Sequence, residues 1–562
     1  MKNHFQLVKN HFFSHLDTVM TLCESRFDEE TFKTEMFAIG EIADAYDPAH
    51  FASLYPSCIY GYYLPDSPYY HDPKLLENAI RILTVFRDRI HEDGSLDLNT
   101  TNFHDPAQTG FVTKGYFTAT EILDKFSEHT ELEDRLYALV LDILSRLGEA
   151  MATLGFHTPN HRWVISAGLA TAYRYTKNQK FRDAIDRFLM EGIDCDENGE
   201  YTERSTGSYN IICDHAFTVL SMMLDDPSFL EYPRRNLNLM MNFTEPDMTV
   251  NTLNSTRWDQ GGQYNIAAYY TFYLLLALTD KNPEFAYTAD KIMEHFQSNR
   301  GVWSYENEIL NFFMLHPEME KLQDELIPVA PDPDKTRFLP KSNIARIYRP
   351  KLNMTMTVIA TRSPVLFQMN YGSEMVQVRF AGSFFGDPHS QFRARTIEQT
   401  EDGFRLICDE SAGYRSQLDE KPETSEWRRM DHSKRKIINV QNFRTEITVH
   451  LLDDGATFDV ATFGCEGIPT KFEIAMTPGG KLDTGSIVTI PKGGDYLFLK
   501  EGGARYFLDG RRYIEIDGGF FAHTNGKDMR GAHPVDERKV TLAMTSVTPQ
   551  RSTVTIRAKK IY

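Results

Sequence analysis

The chain has 562 residues, 41% hydrophobic and 25% charged, a composition that suits a globular protein of two or more domains. Its formal net charge of −19 argues against nucleic-acid binding, because the one basic run, Arg428-Arg429 to Lys434-Arg435-Lys436, reads as a solvated strand edge or turn. The longest apolar run, around Ala267 to Leu278, is too short to span a bilayer, so no membrane partner is expected.

The N-terminal stretch Met1 to His11 has no continuous apolar core and no small-residue cleavage site, which reads as no signal peptide. The six cysteines, at 23, 58, 195, 213, 408 and 465, form no CxxC and no zinc-finger spacing. Reduced thiols in a cytoplasmic protein are the expectation. A tyrosine cluster follows at Tyr55, Tyr60, Tyr62, Tyr63, Tyr69 and Tyr70, either a flat platform for a glycan or packed core.

Apolar residues at spacings of three and four predict helices over Leu75–Arg87, Tyr116–Phe126, Leu132–Leu154, Val164–Tyr175, Phe181–Met190, Ala216–Leu224, Tyr264–Leu278 and Phe285–Phe296. A Pro- and charge-rich segment, Leu326 to Lys335, reads as a linker. Beyond it, short β-branched runs predict strands over Asn353–Ala360, Glu374–Phe380, Thr445–Leu451, Thr457–Thr462, Lys471–Ala475, Tyr496–Leu499, Tyr513–Ile516, Val540–Ala543 and Thr553–Arg557. The expected division is a helical domain over 1–325, a linker over 326–340 and an antiparallel β-sandwich over 341–562.

The helical part has a period. Polar and aromatic clusters recur at Asn102-Phe103-His104-Asp105-Pro106, Asn160-His161-Arg162-Trp163, Ser208-Tyr209-Asn210, Arg257-Trp258-Asp259 and Trp303-Ser304-Tyr305, roughly 46 to 58 residues apart. Two helices of about 15 residues with their loops need about that length. Repeated helical hairpins follow, and such hairpins can curl into a toroid with equivalent loops on one rim.

The clusters carry chemistry. Tyr209 follows a Ser-Thr-Gly-Ser turn, with Arg204 five residues before it. A guanidinium near a phenol lowers the phenol's pKa from its usual value near 10, so such a Tyr can take a proton and return it to a leaving oxygen. Asn160, 49 residues before Tyr209, stands where a helix N-cap is expected, and its amide can hydrogen-bond a carboxylate. His161 can neutralise that group or act as a second base. Arg257, 48 residues after Tyr209, offers a bidentate carboxylate contact. Asn102, His104, Trp163, Glu203, Trp258, Asp259 and Tyr264 lie in the same rim loops and are the candidate substrate contacts, with His389 as a further one from the strand-rich part.

Asn160-His161 and, about fifty residues on, Gly199-Glu-Tyr201-Thr-Glu203…Gly207-Ser-Tyr209-Asn210 resemble the motifs of the heparinase II/III-like and alginate or chondroitin lyase group. The resemblance implies an (α/α) toroid followed by a β-sandwich. It implies a carbon–oxygen lyase that cleaves uronic-acid glycans by β-elimination, with an anionic oligosaccharide as partner. It assigns Asn160 to the carboxylate, Tyr209 to acid and base work, His161 to assist and, more loosely, Arg257 to support. Relatives carry a His-Gly-His-x-Asp-type segment in the β-domain, whereas this chain has Phe384-Phe-Gly-Asp387-Pro-His389-Ser-Gln with a single His. No cofactor is expected, and a structural divalent metal is left open.

Two other readings stand beside this one. A glycoside hydrolase on the same scaffold needs a carboxylate pair, for which Asp194, Asp196, Glu203, Asp214 and Asp259 are the candidates. A non-catalytic glycan-binding protein would use the tyrosine cluster. Dinucleotide fingerprints, P-loops, zincin motifs and nucleophile elbows are absent in fitting contexts.

Overall fold

The computed structural model describes residues 1–25, 47–332, 335–372 and 374–561. It divides into two compact units, residues 1–241 with 255–332, and residues 242–254 with 333–562. The first is helical and the second is built of sheets. Residues 242–254 thus join the sheet unit although they lie inside the stretch expected to be the helical domain. The strand Thr336–Leu339 lies inside the expected linker.

In the helical unit, most expected helices form with small boundary shifts, and several more appear. The run expected as Ala216–Leu224 starts at Tyr209, and that expected as Tyr264–Leu278 opens with a short strand, Tyr264–Asn265, and a 3-10 turn, Ala267–Tyr269, before the helix Tyr270–Thr279. Four helices start in the same way, with an Asp or Asn N-cap followed by Pro: Pro48–Tyr63, Pro73–Asp88, Pro106–Tyr116 and Pro283–Phe296. The cap side chain accepts an orphan N–H of the first turn, while Pro has no N–H to leave unpaired. Thr130 and Glu133 close a capping box at the start of Glu131–Thr153. The expected run Tyr116–Phe126 is the end of one helix, a short 3-10 turn and the helix Thr120–Phe126.

Helix Pro159–Thr176 is central to the candidate site. It packs on Pro106–Tyr116, Glu131–Thr153, Gln179–Met190 and Tyr209–Leu224. Two glycines permit the first of these contacts. A Cβ on Gly168 would stand 3.1 Å from the Cα of Gly110 and 2.6 Å from Met151 Sδ. Only hydrogen fits there, so the two backbones approach closely.

Tyr55, Tyr60, Tyr62 and Tyr63 belong to helix Pro48–Tyr63 and are buried. Their hydroxyls are spent inside the unit: Tyr60 donates to Asn311 Oδ1 (2.9 Å) and Tyr63 to Glu133 Oε1 (2.6 Å), while Tyr55 pairs with Thr120. Tyr55, Tyr60, Tyr62 and Tyr63 are core rather than a platform, while Tyr70 is exposed and Tyr69 donates to Asp17 Oδ1 at 2.8 Å.

The second unit holds a nine-stranded and an eight-stranded sheet among the described residues. Met354, Phe367, Val376 and Phe472 of one sheet share a buried core with Phe404, Ile447, Phe458 and Val554 of the other. The ring of Phe458 lies 5.0 Å from that of Phe367 and 5.6 Å from that of Phe472. The sandwich is antiparallel except where Tyr496–Phe498 pairs in parallel with Val540–Val547. Residues 242–254 are held to this unit by a buried ion pair, Arg346 to Glu245 at 3.0 Å, with Asn251 donating to Glu245 Oε1 at 3.0 Å.

Cys58, Cys195, Cys213, Cys408 and Cys465 are free thiols, and the side chain of Cys23 lies outside the described residues. No described helix is long and apolar enough to cross a membrane. The basic run at 428–436 forms two exposed 3-10 turns, Trp427–Arg429 and His432–Lys434.

Candidate active site

Three loops of the helical unit come together around Glu203. Helix Pro159–Thr176 starts from Thr158, so Asn160 is its second residue rather than its N-cap. Freed from capping, the Asn160 amide donates to Glu203 Oε2 at 2.8 Å and to Thr158 Oγ1 at 3.2 Å. The other carboxylate oxygen of Glu203 faces Arg257 Nε at 3.3 Å. Thr256 adds its N–H and its hydroxyl to the Glu203 carbonyl, at 3.1 and 3.0 Å. Glu203 therefore ties the Asn160 loop to the Arg257 loop. Burial raises its pKa, against the hydrogen bond from Asn160 and the charge of Arg257.

Arg257 reaches on to Tyr209, its guanidinium lying 5.1 Å from the ring centroid. Trp258 donates its indole N–H to the Tyr209 hydroxyl oxygen at 3.1 Å. The phenol hydrogen is left to be given elsewhere. Trp258 is 65% exposed, so its face is open beside that hydroxyl. The guanidinium at Tyr209 is Arg257 and not Arg204 as expected. Arg204 has φ +49°, which turns the loop, and its side chain has no ion pair among the described residues.

Tyr209 opens helix Tyr209–Leu224, and Asp259 fixes it there. Asp259 Oδ1 accepts from the Ser205 hydroxyl at 2.9 Å and from Ser255, and Oδ2 accepts the Gly207 N–H at 3.0 Å. Ser205 Oγ in turn accepts the Tyr209 N–H at 3.0 Å. Gly207 has no room for a side chain, since a Cβ would stand 2.7 Å from the Tyr264 ring. Asp259 and Tyr264 thus shape the turn that presents Tyr209.

His161 is buried beside Phe111 and His157, both edge-on to its ring at 6.2 and 4.9 Å between centroids. Burial pushes its pKa down to about 4, helped by His157 and Arg257 and opposed by Asp105. The imidazole is neutral at pH 7. It can accept a proton, but it brings no charge to a carboxylate. Asn160 Oδ1, His161 Nδ1 and both amide atoms of Asn210 are buried with no hydrogen-bond partner among the described residues. Native interiors rarely leave such atoms unpaired, and each costs about 1–3 kcal/mol of desolvation. A ligand with hydroxyls and a carboxylate would supply the partners.

Other expected contacts fall elsewhere. Trp163 is fully buried and spends its indole N–H on Asp194 at 2.7 Å, so it has no face for a substrate. Asn102 donates to Asp105 at 3.0 Å, and His104 stacks on His91 at 3.9 Å and pairs with Asp93 at 2.8 Å. His389, in the sheet unit, pairs with Glu410 at 2.6 Å. No cluster of three His, Cys, Asp or Glu side chains that could hold a metal ion occurs among the described residues. Phe111, His157 and Asn210 were missed. Asn210 did stand in the motif that ends at Tyr209-Asn210, while His157 lies in the loop just before the N-cap Thr158.

The hydrolase carboxylates are all engaged in scaffolding. Asp194 holds Trp163, and Asp196 accepts the N–H groups of Asn198 and Glu200 at 2.8 and 3.0 Å. Asp214 is fully buried under the Tyr201 hydroxyl at 2.9 Å, and burial raises its pKa well above the carboxylate range. With Glu203 and Asp259 committed as described, no pair stands free across an open cleft.

No protein-family model matches the chain, and no curated sequence matches it. Solved structures do. A heparinase III superposes with a TM-score of 0.56 at 10% identity, covering 98% of this chain and 84% of that one. A heparan sulfate lyase from Pedobacter heparinus gives 0.53 at 9%, covering 92% and 78%. A Paenibacillus xanthan lyase gives 0.56 at 8%, covering 97% of this chain and 55% of that one. The chain shares the fold of polysaccharide lyases. At such identities the likeness is one of fold, helices first and sheets after.

Proposed function

We propose that this protein is a carbon–oxygen lyase that cleaves uronic-acid-containing oligosaccharides by β-elimination. The observation that carries the reading is the assembly of Asn160, Glu203, Arg257, Tyr209 and Trp258 into one cluster with unpaired buried polar atoms, on a fold shared with polysaccharide lyases. In this reading the helical hairpins close into a toroid and the cluster sits on its rim.

The reaction removes the proton on the carbon next to the sugar carboxylate. That electron pair forms a carbon–carbon double bond as the bond to the glycosidic oxygen breaks, and the oxygen leaves with a proton. Arg257 supplies the fixed positive charge that steadies the developing dianion. Asn160 hydrogen-bonds the carboxylate when it exchanges Glu203 for substrate. Tyr209 protonates the leaving oxygen, a role supported by the Trp258 N–H, which occupies a phenol lone pair and leaves the O–H free. When proton and leaving group share a face of the ring, Tyr209 is also the base: it enters as the phenolate, takes the proton from the carbon and gives that same proton to the leaving oxygen. The base is His161 when they lie on opposite faces, and its neutrality suits that task. No step calls for a cofactor. The setting proposed is cytoplasmic, on imported anionic oligosaccharides.

The test is an ultraviolet absorbance screen against uronate oligosaccharides, since the product carries a conjugated double bond. A panel that yields cleavage with no new absorbance, or a Tyr209→Phe protein with full activity, refutes the reading.

A further inference from the structure

The helical unit contains a second polar assembly away from the Glu203 cluster. Lys114 on helix Pro106–Tyr116, His215 on Tyr209–Leu224 and Glu308 on Glu306–Leu315 are all buried. The Lys114 amine hydrogen-bonds His215 Nδ1, and His215 Nε2 meets Glu308 Oε1 at 2.7 Å. The three residues are 101 and 93 positions apart in pairs, so the contact exists only through the fold. They line a cavity of about 400 Å³ together with Gln108, Phe111, Tyr116, Tyr305 and Asn307.

His215 is neutral, because burial and the neighbouring Lys114 lower its pKa, so it accepts one amine hydrogen and gives its own to Glu308. A protonated Lys114 has three hydrogens, and His215 takes one. The other two have no hydrogen-bond partner among the described residues, and Lys114 lines the cavity together with Gln108, whose amide has no hydrogen bond among the described residues either. Burial pulls the Lys114 pKa down to about 7, the signature of a cation short of partners. Aromatic walls at Phe111, Tyr116 and Tyr305 suit a sugar ring. Phe111 lies edge-on to His161 of the candidate active site at 6.2 Å between centroids and has Lys114 Nζ 5.5 Å from its own centroid, so one ring neighbours both places.

We propose that the cavity around Lys114, Gln108 and Phe111 is a uronate-binding pocket, in which Lys114 receives the carboxylate of a sugar next to the one being cleaved. The proposal rests on the lyase reading for the identity of the sugar. Lys114, held by His215 and Glu308, anchors the chain and Phe111 separates the two sugar positions.

The test is calorimetric titration of the protein with free glucuronate, against glucose. Glucuronate saturates a Lys114-dependent site, counted apart from any binding at the Asn160 and Arg257 cluster, and glucose, which lacks the carboxylate, does not. Lys114→Met weakens glucuronate binding by about tenfold or more, the worth of a hydrogen bond to a charged group. Gln108→Leu, a shape-matched change that spares the buried triad, weakens it less. Equal binding of glucose, absence of glucuronate binding, or a folded Lys114→Met protein that binds as well as the parent overturns the proposal. Should no oligosaccharide yield a double bond while Lys114-dependent glucuronate binding persists, the pocket stands and the lyase reading falls.

Discussion

Two loops stand out in the sequence, Glu203–Asn210 and Phe384–Gln391, and they resolve in opposite ways. The second satisfies itself. Ser390 Oγ bonds both the N–H and the carbonyl of Phe384 at 3.2 Å, Gln391 donates to the Phe380 carbonyl at 2.9 Å, and His389 is held by Glu410. Its Phe384 packs with Phe443 and Ile468 in a small apolar cluster. The first loop also has a tight frame, the Asp259–Ser205 chain, but both amide atoms of its Asn210 are buried without partners, as are Asn160 Oδ1 and His161 Nδ1 on the neighbouring helix. Both loops are polar and turn-rich. What separates them is whether hydrogen-bonding capacity is consumed inside the protein or left over, and leftover capacity in a buried place is what a ligand can repay.

The sharpest way to break this contrast is Tyr209→Phe. The ring, its contact with Arg257 and the helix start are all retained, and only the hydroxyl is lost. Activity should fall by about 10² to 10⁴ in kcat, the range of a lost general acid, with the melting temperature unchanged. Arg257→Ala comes next. It removes the charge opposite the developing dianion, and a loss of about 10² in kcat is expected, with Arg257→Lys recovering part of it. Steady-state assays on the same oligosaccharide read both. If Arg257→Ala raises KM and leaves kcat alone, Arg257 binds substrate without stabilising the transition state.

Much of this cluster was legible in the sequence because it lies at helix starts, where polar and aromatic residues interrupt apolar periodicity. The repeat spacing pointed to Asn160, Tyr209 and Arg257 together, and in the structure Asn160 and Arg257 meet on Glu203 while Arg257 lies over the Tyr209 ring. The errors have physical causes. Trp163 was read as a contact because it adjoins His161, yet successive helical residues point to different faces, and Trp163 points inward. Arg204 was paired with Tyr209 by nearness in sequence, while the partner came from 48 residues on. The helix Pro48–Tyr63 was missed because its aromatics fill every face and leave no stripe. Residues 242–254 went to the wrong unit because their anchor, Glu245 to Arg346, is an ion pair across 101 residues that no local pattern announces. The Lys114, His215 and Glu308 assembly is invisible for the same reason.

A milder test concerns His161. Its pKa near 4 means that the imidazole stays neutral from pH 7 down to about pH 5, and a reaction using it as base loses activity only as pH falls through about 4. An exposed base with the ordinary value near 6.5 would lose about tenfold by pH 5.5. The kcat profile at saturating substrate should therefore change by less than about twofold between pH 7 and 5.5. A fall centred near 6.5 shows that an ordinary, exposed histidine is the base. The same depression favours stability at higher pH. Between about 4 and 6.5 the unfolded chain binds the proton and the folded one does not, so this contribution is complete above 6.5 and is lost as pH falls toward 4.

The smallest effect belongs to the loop that satisfies itself. His389 is 29% exposed and its ion pair with Glu410 lies near the surface. Such pairs contribute about 0–1 kcal/mol, because water screens the attraction and two side chains give up freedom to make it. His389→Ala should shift the denaturation midpoint by no more than that, and kcat should be that of the parent protein. A large loss of kcat with unchanged stability would move His389 from the scaffold to the reaction. The distinction between consumed and leftover hydrogen-bonding capacity would then fail in the loop where it is clearest, since His389 would be acting while its partner is already supplied from within.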